Sequence, residues 1–428
     1  MTYQSPISPG VSWYEKTVTK RPAYAAMDGS RQADVAIIGG GFTGLQAACN
    51  LAKAGTDVTL IEAYRFGDGA SGRNGGQMGT GQRWFPEELE GELGFDKSKA
   101  LFDLAEDAKR YLMDFAASHG IDMDYLPGQM NVSHKQSYEK EYRESVIASA
   151  ERYGYTQFSF MERAETEERV GSKRYHFGIR DIGTGHIHPM KLIVGLARVA
   201  ADVGANVFEN TPARKIRKEA GGFVIETANG DITAKRVLIA CNAHIDGLEP
   251  VTSAHVMPIR SFIGTTEPLD NFPEVIPGKE AIADSRFVVR YFRKTADNRL
   301  LFGGREAYTA DYPRDITVHI RRQITEIYPQ LANIAITDAW GGSVGITLNR
   351  QPFAREIMPG LTALGGYSGH GVMLSNYCGK LYADAVLGNT GQLDLLKSLK
   401  VVAFPGGPRL RKPLLLLALT WYSLIDKL

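Results

Sequence analysis

The fold of this chain is decided by the stretch Ala33-Asp-Val-Ala-Ile-Ile-Gly-Gly-Gly-Phe-Thr-Gly44, in which an apolar run leads directly into closely spaced glycines. Gly39, Gly41 and Gly44 have the G-x-G-x-x-G spacing: the first glycine permits a tight turn, the second lets a pyrophosphate approach the backbone, and the third lets a helix pack closely on the strand. Free N–H groups and the positive dipole end of that helix favour an anion. The stretch therefore predicts a strand, a turn and a helix that bind a dinucleotide.

The residues that follow supply the context which this fingerprint requires. A helix is predicted over residues 42–53, and a second strand over residues 57–62 ends on Glu62, eighteen residues after Gly44, where a ribose-binding carboxylate belongs. A bare strand-turn-helix unit without a ligand is the alternative interpretation.

Composition limits the class of protein. A chain of 428 residues suggests two domains, and 43% hydrophobic with 23% charged residues is typical of a globular protein. The 49 basic and 48 acidic residues nearly cancel, so no field would gather nucleic acid. The three cysteines are far apart, which argues against a disulfide framework or a metal knuckle. No signal peptide is visible in residues 1–30, and a cytoplasmic location is expected.

One segment near the C-terminus is basic and then almost wholly apolar, over residues 409–425. It is too short to span a bilayer. Two interpretations stay open: a terminal helix buried against the rest of the protein, or a weak membrane-surface contact through residues 414–425.

The remaining segments predict a discontinuous first domain. A glycine-dense loop, residues 67–77, would lie near the dinucleotide, and residues 361–374 again predict a strand, a glycine turn and a helix. Alternating stretches between residues 251 and 338 predict an antiparallel sheet. We therefore expect an α/β (α+β overall) fold, with a Rossmann-like cofactor domain formed by residues 1–90, 151–250 and 339–428, and a smaller substrate domain formed by residues 91–150 and 251–338.

A single fingerprint does not separate NAD from FAD. Its position near the N-terminus, the loop at residues 71–77 and the second glycine loop at residues 365–371 favour FAD, because one discontinuous domain would then touch a long cofactor at both ends. The other match to G-x-G-x-x-G, residues 67–72, lies in the glycine-dense loop of the same domain, so no second fingerprint marks a separate nicotinamide domain, and the sequence has no C-x-x-C-like pair.

Five stretches carry a family resemblance: residues 35–44, 69–77, 185–189, 238–244 and 365–371. With them the chain resembles the FAD-dependent D-amino-acid oxidase superfamily, in particular its glycine oxidase and sarcosine oxidase branch and the γ-glutamylputrescine oxidoreductase-like amine oxidases. The resemblance implies hydride transfer from the carbon that bears an amine to flavin N5, with hydrolysis of the imine. Oxygen or another acceptor would reoxidise the flavin. The cofactor-binding residues that it implies are Gly39, Gly41, Phe42, Thr43, Gly44, Glu62, Ala63, Ser71, Gly72, Arg73, Asn74, Gly75, Gly76, Gln77, Ala213, Asn242, Ala243, Gly342, Gly369, His370, Gly371 and Val372.

The chain departs from the resemblance at one point. Sarcosine oxidases tether the flavin through a cysteine in a stretch similar to residues 340–348, which contain no cysteine here. We therefore expect non-covalent FAD. An NAD(P)H-dependent flavin monooxygenase and a tRNA-modifying or accessory flavoprotein are the alternative functions.

Candidates for a role beside the flavin are His370, Tyr291, Arg293 and Trp340. His370 would either face the flavin or order its own loop. Arg290, Arg293 or Arg305 could clamp a carboxylate or a γ-glutamyl group, or else lie on a solvated face. Trp340 could wall the substrate pocket or belong to the core. The alternating His186 and His188 lack further ligands at fixed spacing, so we predict no metal site.

Overall fold

The computed structural model describes residues 3–286, 288–304 and 315–406, and the backbone of residues 305–307. Its strands, in chain order, are β1 (Arg31–Ile38), β2 (Val58–Ile61), β3 (Leu126–Ser133), β4 (Phe158–Met161), β5 (Phe177–His186), β6 (Asn206–Phe208), β7 (Lys215–Glu219), β8 (Gly222–Glu226), β9 (Asp231–Ile239), β10 (Met257–Pro268), β11 (Ala281–Asp284), β12 (Tyr291–Lys294), β13 (Arg299–Ala307), β14 (Ile336–Ile346), β15 (Phe353–Met358) and β16 (Leu361–Gly365).

The α-helices in the described part of the chain are α1 (Trp13–Thr17), α2 (Phe42–Lys53), α3 (Ala70–Arg73), α4 (Pro86–Leu93), α5 (Phe95–Ser118), α6 (Glu139–Glu151), α7 (Arg163–Val170), α8 (Pro189–Asp202), α9 (Pro250–His255), α10 (Thr317–Ile327), α11 (Gly371–Val386) and α12 (Gly391–Lys397). The bounds of α2 are those predicted, and α8 begins at Pro189, since proline is well tolerated in a first helical turn.

The first sheet has the order β15-β16-β9-β1-β2-β6, and its five strands from β16 to β6 are parallel. Its central strands are apolar on both faces; Val35 and Leu60 lie on one face and Ala36 and Ile61 on the other, and all four are at most 1% exposed, as in strands covered on both sides. Helix α2 packs against α8 and α11. A Cβ on Gly379 of α11 would lie 2.2 Å from the carbonyl oxygen of Thr43, so these two helices approach at their backbones.

The second sheet has the order β14-β10-β13-β12-β11-β3-β5-β4 and is antiparallel except for the pair β11 and β3. A separate apolar core lies between this sheet and α10, where Phe292 stacks on Phe302 at 5.3 Å. The antiparallel sheet expected over residues 251–338 is present, and it is larger than that range.

The sheets divide the chain differently from the expected domain boundaries. Strands β4 and β5 fall within the segment expected in the cofactor domain, yet they hydrogen-bond into the second sheet, and β14 extends past residue 339. The physical reason is that β5 pairs with β3 between residues 44 to 60 positions apart, which no local pattern encodes. A domain division that gives β4 and β5 to the second domain is our revised proposal.

No helix among the described residues is long and apolar enough to cross a membrane. The apolar C-terminal stretch at residues 414–425, for which two interpretations were open, lies outside the described residues.

Candidate functional site

The glycine turn between β1 and α2 is as tight as its sequence predicts. Gly39 has φ of +109°, and a Cβ there would lie 2.8 Å from the carbonyl of Ala240. A Cβ on Gly44 would lie 2.0 Å from the carbonyl oxygen of Gly39. Gly41, the N-cap of α2, has no side chain to close the first turn, and the N–H of Phe42 is bound by the Ser71 hydroxyl at 3.0 Å. The turn thus leaves a helix N-terminus suited to an anion.

Glu62 follows the last residue of β2 and lies directly against this turn. One carboxylate oxygen accepts from the backbone N–H of Gly40 at 2.8 Å, and the other accepts from that of Tyr64 at 3.1 Å. Burial raises the pKa of Glu62. The neighbouring Ala63 is half-buried. The carboxylate predicted from its spacing to Gly44 therefore lies beside the turn, as a ribose-binding acid must.

The glycine-rich loop, residues 67–77, joins the turn to the second sheet. It contains the short helix α3, whose Ser71 hydroxyl accepts from the backbone N–H of Phe42 at 3.0 Å. The Asn74 side chain donates to the carbonyls of residues 70 and 71 and accepts from the N–H of Gly76 at 2.8 Å. Gln77 donates to the carbonyl of Ile282 in β11 at 2.9 Å. The loop is therefore ordered by its own side chains and by both sheets.

Two further predicted residues of this region are structural supports. Arg73 is 6% exposed and donates through Nε to the carbonyl of Gly341 at 2.7 Å, and Gly342 packs beside it. Trp340 is fully buried, and its indole N–H donates to the carbonyl of Arg73 at 3.0 Å. Trp340 therefore belongs to the core, the second of the two interpretations given for it.

The segment after β9 contacts the C-terminal glycine loop. Asn242 has φ of +47° and accepts from the N–H of Gly366 at 2.8 Å, while Ala243 is buried. Nε2 of His244 is buried and has no hydrogen-bond partner in the described part of the chain. A Cβ on Gly69, the cap residue of α3, would lie 4.0 Å from that nitrogen. Ala213 is half-buried and packs on the main core.

The C-terminal glycine loop carries His370. Its Nε2 donates to the carbonyl of Gly81 at 3.0 Å, and a Cβ on Gly79 would lie 2.3 Å from the ring. Burial, with a smaller contribution from nearby Arg83, lowers the pKa of His370 to about 4, so the ring is neutral at pH 7. Gly369 is exposed at φ of +89°, Gly371 begins α11, and Val372 is buried. The hydrogen bond joins the C-terminal glycine loop to the backbone of residues 79–81.

The second-sheet candidates have different surroundings. Tyr291 and Arg293 lie on one face of β12, as strand alternation predicts, and both contact Gly75. Arg293 is 3% exposed and donates to the carbonyls of Gly75 and Ile187, to the hydroxyl of Tyr14 and to His186. Four acceptors of the protein itself therefore occupy this guanidinium, which is neither a solvated side chain nor available as a carboxylate clamp.

The other second-sheet candidates are distinct. Arg290 pairs with Glu326 at 2.6 Å. Tyr291 is half-buried, and its hydroxyl lies 3.2 Å from that of Ser261. Of Arg305 the structure describes the backbone only. Tyr291 is therefore the candidate that faces the glycine-rich loop without being enclosed by the core.

His186 and His188 serve as supports. Nδ1 of His186 accepts from Arg293 at 3.2 Å and its Nε2 donates to the carbonyl of Lys279 at 2.8 Å, while Nδ1 of His188 accepts from the N–H of Lys191 in α8. Burial lowers the pKa of each to about 3. No group of metal-ligating side chains was found among the described residues.

The residues around the glycine turn form an arrangement that fits FAD. The turn is shaped for close approach of a ligand to the backbone, and the N-cap residues of α2 and α11, Gly41 and His370, contribute no side-chain hydrogen bond to their helices. The half-buried Glu62 carboxylate and the His244 nitrogen, which has no partner among the described residues, lie along the same region. Glu62 would then hold the ribose, and the turn and the glycine-rich loop would hold the pyrophosphate and flavin side.

Two residues of this region were not singled out from the sequence. His244 stands within a motif that the resemblance highlighted, so its position was available, but its unpartnered nitrogen was not. Tyr14 lies in the N-terminal segment, and its hydroxyl donates to the carbonyl of Asn74 at 2.8 Å. No periodicity or motif marks it.

Comparisons with known proteins agree with this geometry. The family described as DAO, FAD dependent oxidoreductase, matches residues 34–385. The chain is 66% identical over 427 residues to a probable oxidoreductase OrdL of Rhizobium meliloti (strain 1021), which covers all of both chains. It is 33% identical to the γ-glutamylputrescine oxidoreductase of Escherichia coli (strain K12), covering 97% of this chain and 98% of that relative.

Among solved structures, glycine oxidase from Geobacillus kaustophilus superposes with a TM-score of 0.71 at 21% identity, covering 88% of this chain and 98% of the other. This likeness concerns the fold, and it confirms the expected Rossmann-like architecture with a second sheet. With the family match over most of its length, the chain belongs to the DAO family and is an FAD-dependent oxidoreductase.

Proposed function

We propose that this enzyme oxidises the C–N bond of a small amine or amino acid, a γ-glutamyl amine among the candidates, and holds its FAD non-covalently. The observation that carries the proposal is the pair of Tyr291 and Ser261 on the second sheet, which faces Gly75 of the glycine-rich loop. A half-buried polar pair opposite a cofactor loop is suited to orient a small polar substrate. The identity with γ-glutamylputrescine oxidoreductase over nearly the whole chain supports an amine.

Bound FAD would supply the hydride acceptor for the carbon that bears the amine. The protein contributes position and exclusion of water. Tyr291 lies against Gly75 and would orient the substrate, while His370 holds the residue 79–81 backbone and stays neutral at pH 7. The amine must be neutral to react, and the imine product hydrolyses in water. No acid–base triad is required by this scheme.

Burial of the cysteines supports a non-covalent cofactor. Burial raises the pKa values of Cys49, Cys241 and Cys378 to about 12 each, so none is a reactive thiolate at neutral pH. Acid precipitation of the purified protein is expected to release its flavin into the supernatant. Flavin that remains with the precipitate would contradict this part of the proposal.

The experiment that tests the function is an anaerobic absorbance titration of the yellow protein. The panel contains γ-glutamyl diamines, N-methylglycine, glycine, and D- and L-amino acids. Bleaching by one member is expected, and admission of air then tests whether oxygen reoxidises the flavin. Bleaching by NADPH alone, with no response to any amine, would instead favour a monooxygenase.

A variant links this activity to the proposed pair. Tyr291→Phe removes one hydroxyl and is expected to raise the KM of the bleaching amine several-fold with little change in stability. The matched control is Tyr328→Phe, because that hydroxyl donates to the carbonyl of Val170 at 2.8 Å within the second core. Equal kinetic effects of both variants would refute a substrate role for Tyr291.

A further inference from the structure

Three consecutive backbone carbonyls of the glycine-rich loop, those of residues 73–75, are each bound by a buried side chain from a different part of the fold. Trp340 of β14 donates to the first at 3.0 Å, Tyr14 of α1 to the second at 2.8 Å, and Arg293 of β12 to the third at 2.7 Å. These donors are 0%, 0% and 3% exposed. The loop backbone is therefore fixed at every residue of this stretch.

Fixing these carbonyls also fixes the N–H groups of the loop. In a trans peptide the N–H of the next residue points opposite to the carbonyl. The N–H groups of Asn74 and Gly75 are therefore held away from Trp340 and Tyr14, while that of Gly76 is taken by the Asn74 side chain. The side chains on one side of the loop thus decide which backbone donors face the other side.

Tyr14 belongs to an N-terminal segment that we call the strap, residues 3–24, which precedes the dinucleotide-binding strand. The carbonyl of Pro9 in the strap accepts from Arg73 at 2.9 Å and from the N–H of Gly341 at 3.0 Å. Further along the strap, Arg21 donates to the carbonyl of Phe66 at 2.6 Å. The strap therefore contacts the residue that precedes the loop, Phe66, and the loop itself at Arg73 and Asn74.

The strap is itself fixed to the second sheet. Gly10 has φ of +73°, and a Cβ there would lie 2.0 Å from the carbonyl oxygen of Ala339 in β14. Lys16 lies 2.5 Å from Asp338 of the same strand. Tyr14 also accepts from Arg293 at 3.0 Å, so its hydroxyl joins strap, loop and sheet in one network.

We propose that Tyr14 is a positioning residue for FAD, and that the strap holds the glycine-rich loop in its cofactor-binding conformation and so determines how tightly FAD is retained. Loss of the Tyr14 hydroxyl leaves the carbonyl of Asn74 without this buried donor, which allows the loop to adopt other conformations. The proposal rests on FAD binding and is independent of the amine that the enzyme oxidises.

The test measures FAD binding to apo-protein by quenching of FAD fluorescence, without any substrate. Tyr14→Phe is expected to raise the dissociation constant for FAD about tenfold, the equivalent of losing one buried hydrogen bond. It should also reduce the increase in Tm that saturating FAD produces. The control Tyr328→Phe loses a comparable buried hydroxyl-to-carbonyl bond in the other core and should lower the Tm of apo- and holoprotein equally.

A second variant covers the case in which Tyr14→Phe does not fold. Gly10→Ala displaces the strap from β14 and leaves every side chain that contacts the glycine-rich loop unchanged. It should also raise the dissociation constant for FAD. The proposal is overturned if either folded variant binds FAD with the wild-type dissociation constant while apo- and holoprotein lose stability equally. If wild-type protein binds FAD and no amine bleaches it, the proposed function fails and the role of the strap is still tested.

Discussion

Alanine substitution at two helical glycines should change the stability of this protein in opposite directions. Gly44 is the third glycine of the dinucleotide turn and lies in the first turn of α2, whereas Gly91 lies in α4 and is exposed. Alanine in place of glycine in a helix gains about 1 kcal/mol of helix propensity at either position. The difference between the two variants therefore isolates the packing at Gly44.

The magnitude at Gly44 follows from its neighbours. Its Cβ would lie 2.0 Å from the carbonyl oxygen of Gly39 and 3.2 Å from Cγ2 of Ile37, and the first of these is backbone that cannot rotate away. Relief requires α2 to move by about 1 Å from β1, which we expect to cost about 3 kcal/mol, at the upper end for overpacked cores. At Gly91 no atom lies within 4 Å of the added methyl group.

The assay is urea unfolding of the apo-protein together with FAD titration. We expect Gly44→Ala to lose about 2 kcal/mol of stability after the propensity gain and to bind FAD at least tenfold more weakly, because the turn can no longer close. Gly91→Ala should gain stability and bind FAD as the wild type does. A Gly44→Ala protein that is as stable as Gly91→Ala and retains FAD would refute the argument.

Three further predictions concern buried polar groups. Arg293→Lys should lower the free energy of unfolding in urea by at least about 3 kcal/mol, because one ammonium cannot donate to all four acceptors. The control, exposed Arg322→Lys, should lower it by less than about 0.5 kcal/mol. An Arg293→Lys protein that stays stable and loses only its affinity for carboxylate-bearing amines would restore the clamp hypothesis. His244→Phe should weaken FAD binding and leave apo-protein stability nearly unchanged, since Nε2 has no partner among the described residues, and an unchanged FAD dissociation constant would contradict a cofactor contact. His186 and His188 have pKa values of about 3 in the folded protein against 6.5 in the unfolded chain, so their contribution to stability is present above pH 6.5 and is lost as the pH falls towards 3. Between pH 7 and pH 5 each histidine should lower the free energy of unfolding by about 2 kcal/mol. His186→Gln should remove about 2 kcal/mol of this pH dependence from urea unfolding, and an unaltered pH profile would count against a buried, neutral His186.

Features that depend on short stretches of chain were available from the sequence. The spacing of the glycines determines the turn because Gly44 packs on the backbone of Gly39 five residues earlier, and Gly39 packs on the backbone of Ala240 at the end of the adjacent strand. The bounds of α2 follow from the glycine that precedes it and the Ala54-Gly55 that ends it. Glu62 is placed by the length of one strand-helix-strand unit, and the structure has it against the turn.

The tertiary structure alone decided how the distant polar side chains are used. Tyr14 meets Asn74 across 60 positions and Arg293 across 279, and β5 joins β3 rather than the first sheet. An arginine on a strand is equally compatible with a solvated face, a carboxylate clamp or a buried support, because the free energy of each depends on acceptors contributed by remote segments. The sequence by itself determined the strand, the glycine turn and the helix of the fingerprint, since these depend on local backbone shape. Which side chains hold that site in place was decided only when folding brought Gly75, Ile187 and Tyr14 around one guanidinium.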